Sequence, residues 1–238
     1  MKLLGAAFEK SRPGVRVQLF PSLGSSGGIM ALSKGALDIA LSSRPLSTDE
    51  RQAGLATMEY ARTPFVFIAH RNVGKDTMTI RELEDVYAGK TQYWPDHRRI
   101  RLVLRPETDT TSKILRSISP GTDRGLSIAR SGNSYVLAIT DQDSTHTVAN
   151  LIGAFGTSTL AQLMTEKPPV KSLAFQGVTP GVRSLSDGSY PLFTTLYIIT
   201  SPSLHPAARQ FVRFIFSGEG RKILASNGNL VTGARHDK

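Results

Sequence analysis

Two long apolar strand patterns constrain this chain more than any other feature. "ATMEYARTPFVFIAH" (56–70) contains a continuous run from Phe65 to Ala69, and "YPLFTTLYIITS" (190–201) is its counterpart. They bracket the middle third of 238 residues. Strand and helix patterns alternate around and between them, the order expected of an α/β protein with a largely parallel sheet. A chain that leaves one lobe and later returns to it produces two such crossings. The pattern contains no repeats and no low-complexity tract.

Local signals fill in this frame. "LLGAAFEK" has helical spacing and stops at Ser11-Arg12-Pro13-Gly14, while "VRVQLF" (15–20) alternates as a half-buried strand does. "IMALSKGALD" reads as a helix, "LDIAL" (37–41) as a short strand, and "SRPLSTDERQAG" as a loop leading into a short helix. "TIRELEDVYAGK" (79–90) predicts a helix with Thr79 as N-cap and Glu82 completing a capping box. "IRLVL" predicts a strand running into the polar loop of "RPETDTTSKILRSI", which opens a further helix. "TVANLIGAFGTSTLAQLM" reads as helix, glycine turn, helix, and the C-terminal segment as two helices broken at Ser217-Gly218.

Composition narrows the chemistry. Lys and Arg outnumber Asp and Glu 29 to 19, so the formal charge of +10 favours an anionic partner. The basic residues are scattered, and the tightest group, His97 to Arg101, is short; this pattern reads as a solvated basic surface and not as a nucleic-acid interface. Cysteine is absent, which excludes disulfides, zinc–thiolate sites and thiol catalysis. Histidines 70, 97, 146, 205 and 236 never fall at ligand spacing, so no metal or other cofactor is expected. No window approaches the roughly 18 apolar residues of a membrane span. "MKLLGAAFEK" is not a complete signal peptide.

"PSLGSSGGIM" (21–30) carries the most chemistry for its length, and it admits three readings. Gly24-Ser25-Ser26-Gly27-Gly28 fits G-x-S-x-G between strand and helix, the setting of a hydrolase nucleophile, with Asp141, His146 and His205 as acid and base candidates. Only 25 residues precede Ser26, too few for the strands and oxyanion loop that such a fold places first. A second reading keeps the geometry without catalysis: a helix N-terminus, glycines and hydroxyls make an anion cradle. The third is a plain turn with a serine N-cap.

Taken with four other segments, this loop resembles a known family, the phosphate-binding proteins of ABC-type uptake systems, within the type II periplasmic-binding-protein fold. "GSSGGIMALSKGALDIALSSRPLS" is similar to their loop, helix, short strand and Ser-x-x-Pro-Leu turn. "ELEDVYAGKTQYWPDHRRIRLVLRP" resembles the segment in which a helix ends at Tyr-x-Gly-Lys, a tryptophan follows and a strand delivers an arginine, and "LIGAFGTSTL" is similar to their Pro-Gly-Ala-Ile-Gly-Tyr turn. "DGSYPLFTTLYIIT" and "FVRFIFSGEGRKILASNGNL" resemble the closing strand and C-terminal helices. The resemblance implies two α/β lobes, each a mostly parallel sheet flanked by helices. Lobe one would hold residues 1–69 and 192–238 and lobe two 70–191, with hinge crossings near 65–70 and 190–195. It further implies a non-enzymatic, monomeric solute-binding protein that captures a small oxyanion, phosphate foremost, in an interlobe cleft. ABC-transporter membrane subunits would be its partners and the periplasm or another extracytoplasmic space its place.

Carried over residue by residue, Ser25 would be an anion donor, helped by the amides of Ser26 and Gly27. Ser43 stands where some members have an aspartate that accepts the proton of hydrogen phosphate, and Arg44 beside it is either a ligand contact or a surface ion pair. Arg105 matches the family arginine. The following Ser-Gly-Thr is replaced by Asp109-Thr110-Thr111 or, one residue on, Thr110-Thr111-Ser112. Asp109 is either the N-cap of the next helix or a substitute proton acceptor. The chain also begins inside what resembles the first helix, so the family's first strand and its loop are expected to be missing. These departures keep open a sensing or interaction domain of the same fold with a degenerate anion site; effector domains of LysR-type regulators share that fold, although no helix-turn-helix segment occurs here.

Overall fold

The computed structural model describes residues 1–132 and 134–233; His236 lies outside the described residues. The chain opens with α1 (Lys2–Ser11), α2 (Gly24–Ser33), β1 (Ile39–Ser42), α3 (Thr48–Gln52) and the long strand β2 (Ala56–His70). Next come β3 (Thr77–Met78), α4 (Ile80–Tyr87), β4 (Arg101–Leu104), α5 (Thr110–Ile118), α6 (Pro120–Ser131) and β5 (Tyr135–Leu137). Then follow α7 (Asp141–Asn150), β6 (Ala154–Thr159), α8 (Leu160–Glu166), β7 (Val170–Phe175) and α9 (Val182–Ser186). The chain closes with β8 (Phe193–Thr200), α10 (Pro206–Phe216), α11 (Gly218–Ala225) and β9 (Leu230–Val231). Contacts divide it into two compact units. The first holds Met1–Arg62 and the residues from Thr195 on, and the second Thr63–Thr194. The backbone enters the second unit within β2 and leaves it within β8.

In the first unit, β1 pairs antiparallel with β8, Ile39 opposite Thr200, and β9 pairs antiparallel with β2, Ala61 opposite Val231. One core joins Leu4 and Phe8 of α1 to Tyr60, Ile198, Phe211 and Ile215. A smaller one seats Ile29 and Leu32 of α2 on Ala40 and Ile199. Burying Ile29 and Leu32 fixes which face of α2 points inward and so aims its first turn.

The second unit mixes strand directions. β2 pairs antiparallel with both β6 and β7, whereas β4 runs parallel to β5 and to β6. Its core is aromatic: Phe67 stacks on Phe155 at 5.8 Å, and Trp94 meets Phe155 edge-on at 5.7 Å. Thr79 caps α4, and Glu82 completes the capping box, as the sequence predicts.

The α/β class holds, with three local corrections. The sheets are not mostly parallel, because β2 spans both units and takes antiparallel partners in each. Residues 15–20 form no strand: Val17 packs over Gly5, where an added Cβ would lie 3.2 Å away, and its N–H donates to Glu9 Oε1 at 2.7 Å. Alternation there reports contact with α1 instead of a sheet. Finally, "LIGAFGTSTL" is a turn followed by β6 instead of a turn between helices. β6 is buried on both faces, so it has no alternating pattern to read.

Gly153 immediately precedes β6 with φ +75°, and its carbonyl accepts Trp94 Nε1–H at 2.9 Å and the Arg101 N–H at 3.1 Å. A Cβ there would collide with the Arg99 carbonyl oxygen. Gly153→Ala is therefore expected to cost about 3 kcal/mol, a fall of about 6–12 °C in thermal midpoint by calorimetry. An unchanged midpoint would refute this packing.

Candidate functional site

The unit-one candidates gather around the N-terminus of α2. Gly24 takes φ +67°, a turn that glycine makes without strain, and the helix begins with Gly-Ser-Ser-Gly-Gly. Its N-cap Leu23 makes no side-chain bond, and Ser22 Oγ accepts only the Gly24 N–H, at 3.3 Å. The opening amides of a helix have no partner within it, so those of Ser25, Ser26 and Gly27 point along the positive end of the dipole as free donors. Gly27 is required by crowding: an added Cβ would lie 2.9 Å from Leu23 Cβ.

Ser25 is fixed from the side. Its Oγ accepts the Ser43 N–H at 3.0 Å and lies 3.1 Å from Ser43 Oγ, tying the first turn of α2 to the end of β1. The turn after β1 is itself locked, since buried Ser42 donates to the Arg44 carbonyl at 2.6 Å and accepts its N–H at 3.1 Å. Ser25, Ser26, Gly27 and Ser43 are thus brought together.

Arg44 joins them as a support. Its Nη1 donates to the Pro45 carbonyl and Glu50 Oε2, and its Nη2 to Glu50 Oε1 and Ser26 Oγ, at 2.7–3.1 Å. All four terminal N–H groups are spent on the protein, so the arginine has no fork left for a ligand. Ser26 accepts from Arg44 and keeps its own hydroxyl hydrogen. Among the described residues the side-chain partners of Ser25 and Ser26 are Ser43 and Arg44, and no histidine hydrogen-bonds to either. His205 instead caps α10, its Nδ1 accepting the Ala207 N–H.

The Arg44 guanidinium holds the Glu50 carboxyl down at about 2, with help from Ser47, against partial burial. A depressed carboxylate stabilises the fold fully above its ordinary value of 4.5 and loses that contribution as pH falls toward 2. The pair is partly solvated, so Glu50→Gln is expected to cost about 1 kcal/mol at neutral pH. That difference should close on acidification in parallel urea melts of both proteins. A gap that persists at the acid end would contradict the ion-pair assignment.

The unit-two candidates centre on Arg105, only 3% exposed. Its Nη1 donates to the Ala138 carbonyl at 2.9 Å and its Nη2 to Asp109 Oδ2 at 2.9 Å. Nε lies 3.5 Å from Asp141 Oδ1 without forming a hydrogen bond. Arg130 props this arrangement from behind, its Nη2 donating to the Arg105 carbonyl at 2.7 Å and to Ser112 Oγ at 2.9 Å.

Asp109 is the N-cap of α5, with Oδ1 accepting the Thr111 N–H at 2.9 Å while Oδ2 takes Arg105. Both its oxygens are occupied. Ser112 is buried and donates to the Pro106 carbonyl at 2.9 Å, which removes it as a ligand donor. The half-buried hydroxyls at the start of α5 are therefore those of Thr110 and Thr111. Asp141 was readable only as a hydrolase acid; in the fold it opens α7 beside Arg105, and partial burial raises its carboxyl despite the arginine, with Asp109 and Glu166 adding repulsion. Its Thr-x-x-Asp context signals a helix cap and gives no hint of that partner.

Among the described residues, no group of three or more His, Cys, Asp or Glu could hold a metal, and no helix is long and apolar enough to cross a membrane. Residues 1–219 match the family model described as "PBP superfamily domain". The chain belongs to the PBP superfamily. Two relatives of this superfamily chain are the phosphate-binding proteins PstS of Bacillus subtilis and Staphylococcus saprophyticus. The first is 23% identical over 94% of this chain and 73% of its own length, and the second 24% identical over 92% and 72%. A solved structure of a putative phosphate ABC transporter substrate-binding protein from Clostridium perfringens, with bound phosphate, superposes with a TM-score of 0.82. It is 22% identical, covering 98% of this chain and 94% of its own. An ABC-type phosphate transport receptor from Vibrio cholerae gives 0.64 at 19% identity, over 98% and 95%. These likenesses establish the fold, the type II one of phosphate-binding proteins.

Proposed function

We propose that this PBP-superfamily protein captures inorganic phosphate by hydrogen bonding, without chemistry, and delivers it to the membrane subunits of an ABC transporter in an extracytoplasmic space. The observation that carries this reading is the first turn of α2. It has no side-chain bond from its N-cap residue and is rich in glycine, with Ser25 held in place by Ser43 and Ser26 by Arg44. Such a turn offers several preorganised donors and no carboxylate of its own, the chemistry that an oxyanion needs. Arg105, Thr110 and Thr111 supply the second set, with the buried arginine as its positive charge. In this proposal one anion receives donors from both sets, and residues 1–69 with 192–238 and residues 70–191 act as the lobes that close on it, hinging near 65–70 and 190–195. The protein works as a monomer. The relatives named above support the choice of phosphate among oxyanions.

Titration calorimetry and thermal melts with phosphate, sulfate and molybdate test the reading. Phosphate at 100 times its dissociation constant should add about 2.7 kcal/mol, a rise of about 5–10 °C in midpoint. No heat and no shift with any of the three anions would overturn it.

A further inference from the structure

We infer that Glu50 sets which anion charge the α2 site accepts, by holding Arg44 on the protein and cancelling its charge. This inference rests on the proposed oxyanion capture and adds a specificity-determining residue to it. Four observations meet at one guanidinium. Both Glu50 oxygens take an Nη hydrogen, Oε1 at 2.7 Å and Oε2 at 2.8 Å, in the fork geometry that makes an arginine–carboxylate pair strong. The Pro45 carbonyl takes a third hydrogen. Ser26, in the first turn of α2, takes the fourth. Glu50 is in turn anchored at α3, where Oε2 accepts the Ser47 N–H at 2.7 Å as half of a capping box.

The pair is therefore neutral, rigid and joined to the anion cradle through a single hydroxyl. Arg44 acts on the ligand only by polarising Ser26, whose own O–H remains to donate. A cradle of neutral amides and hydroxyls gains little from a second negative charge on its guest, whereas an uncompensated guanidinium beside it would favour a dianion over a monoanion. Glu50 is thus a positioning residue that keeps this half of the site indifferent to ligand charge. Glutamine can still serve as the third residue of a capping box, so Glu50→Gln removes the charge while leaving α3 its cap.

The test measures dissociation constants for sulfate and inorganic phosphate in mildly acidic, low-salt buffer, where sulfate is a dianion and phosphate mostly a monoanion. Glu50→Gln should shift the ratio toward sulfate by about tenfold, an effect that fades in high salt. Arg44→Gln combined with Glu50→Gln should restore the wild-type ratio, because neutrality returns. Arg44→Gln alone, which strands the carboxylate, should shift the ratio away from sulfate and serves if Glu50→Gln melts below the assay temperature. Wild-type binding with a ratio unmoved by these variants would overturn the inference and leave phosphate capture intact. Failure of the wild-type protein to bind either anion would remove both.

Discussion

Replacing Arg105 with methionine should abolish phosphate binding in calorimetry, a loss of at least about 100-fold, and should lower stability as well. The guanidinium is buried, donates to Asp109 and the Ala138 carbonyl, and stands beside Asp141. Removing it leaves two partly exposed carboxylates with no cation between them and the buried Ala138 carbonyl without its donor, at a cost of about 1–3 kcal/mol. Any anion arriving afterwards would meet net negative charge. Arg105→Lys separates charge from geometry: it keeps the cation but loses the fork that reaches Ala138 and Asp109 together. We expect the lysine variant to recover much of the stability and little of the binding. Full phosphate affinity in Arg105→Met would remove this residue from the site.

Ser25→Asp should give an equally large loss of binding with the opposite sign in stability. An aspartate in the first turn of α2 complements the helix dipole, worth about 0.3–1 kcal/mol, and it can still accept the Ser43 N–H that Ser25 accepts. Its negative charge would occupy the place proposed for the anion. Calorimetry is expected to show no phosphate binding, and thermal melts an unchanged or raised midpoint. A variant that folds as well as wild type yet binds nothing would separate capture from folding. Retained binding would show that the first turn of α2 does not hold the anion.

The contrast between these two residues shows what the sequence reveals. Ser25 is legible because its neighbours are glycines and serines at a helix start, a local pattern with a local cause. Arg105 is legible as one basic residue at the end of a strand, and only through family resemblance. Its burial and its carbonyl partner Ala138 depend on residues far along the chain. Arg130 is not legible in the sequence, and Asp141 is legible only as a hydrolase acid or base candidate; tertiary packing recruits both to Arg105. Arg44 illustrates the same limit. Beside a ligand-like turn it reads equally well as a ligand contact, and only the four hydrogen bonds it makes to Pro45, Glu50 and Ser26 show where its donors go.

The fold divides along the same line. The capping box at Thr79 and the break at Ser217-Gly218 are written in a few adjacent residues and are legible. Strand direction is not. Whether β2 pairs parallel or antiparallel depends on β6, β7 and β9, which are distant in sequence. β6 itself hides because Ala-Phe-Gly-Thr-Ser-Thr neither alternates nor runs apolar, and its Thr157 and Ser158 are buried polar residues that only the fold explains.

A crystal structure of the protein grown with phosphate tests the central claim most directly. The account predicts one phosphate whose oxygens lie within hydrogen-bond distance of Ser25 and the first-turn amides of α2, and also of Arg105 or the Thr110 and Thr111 hydroxyls. A phosphate bound by only one of these groups, or by neither, would contradict it.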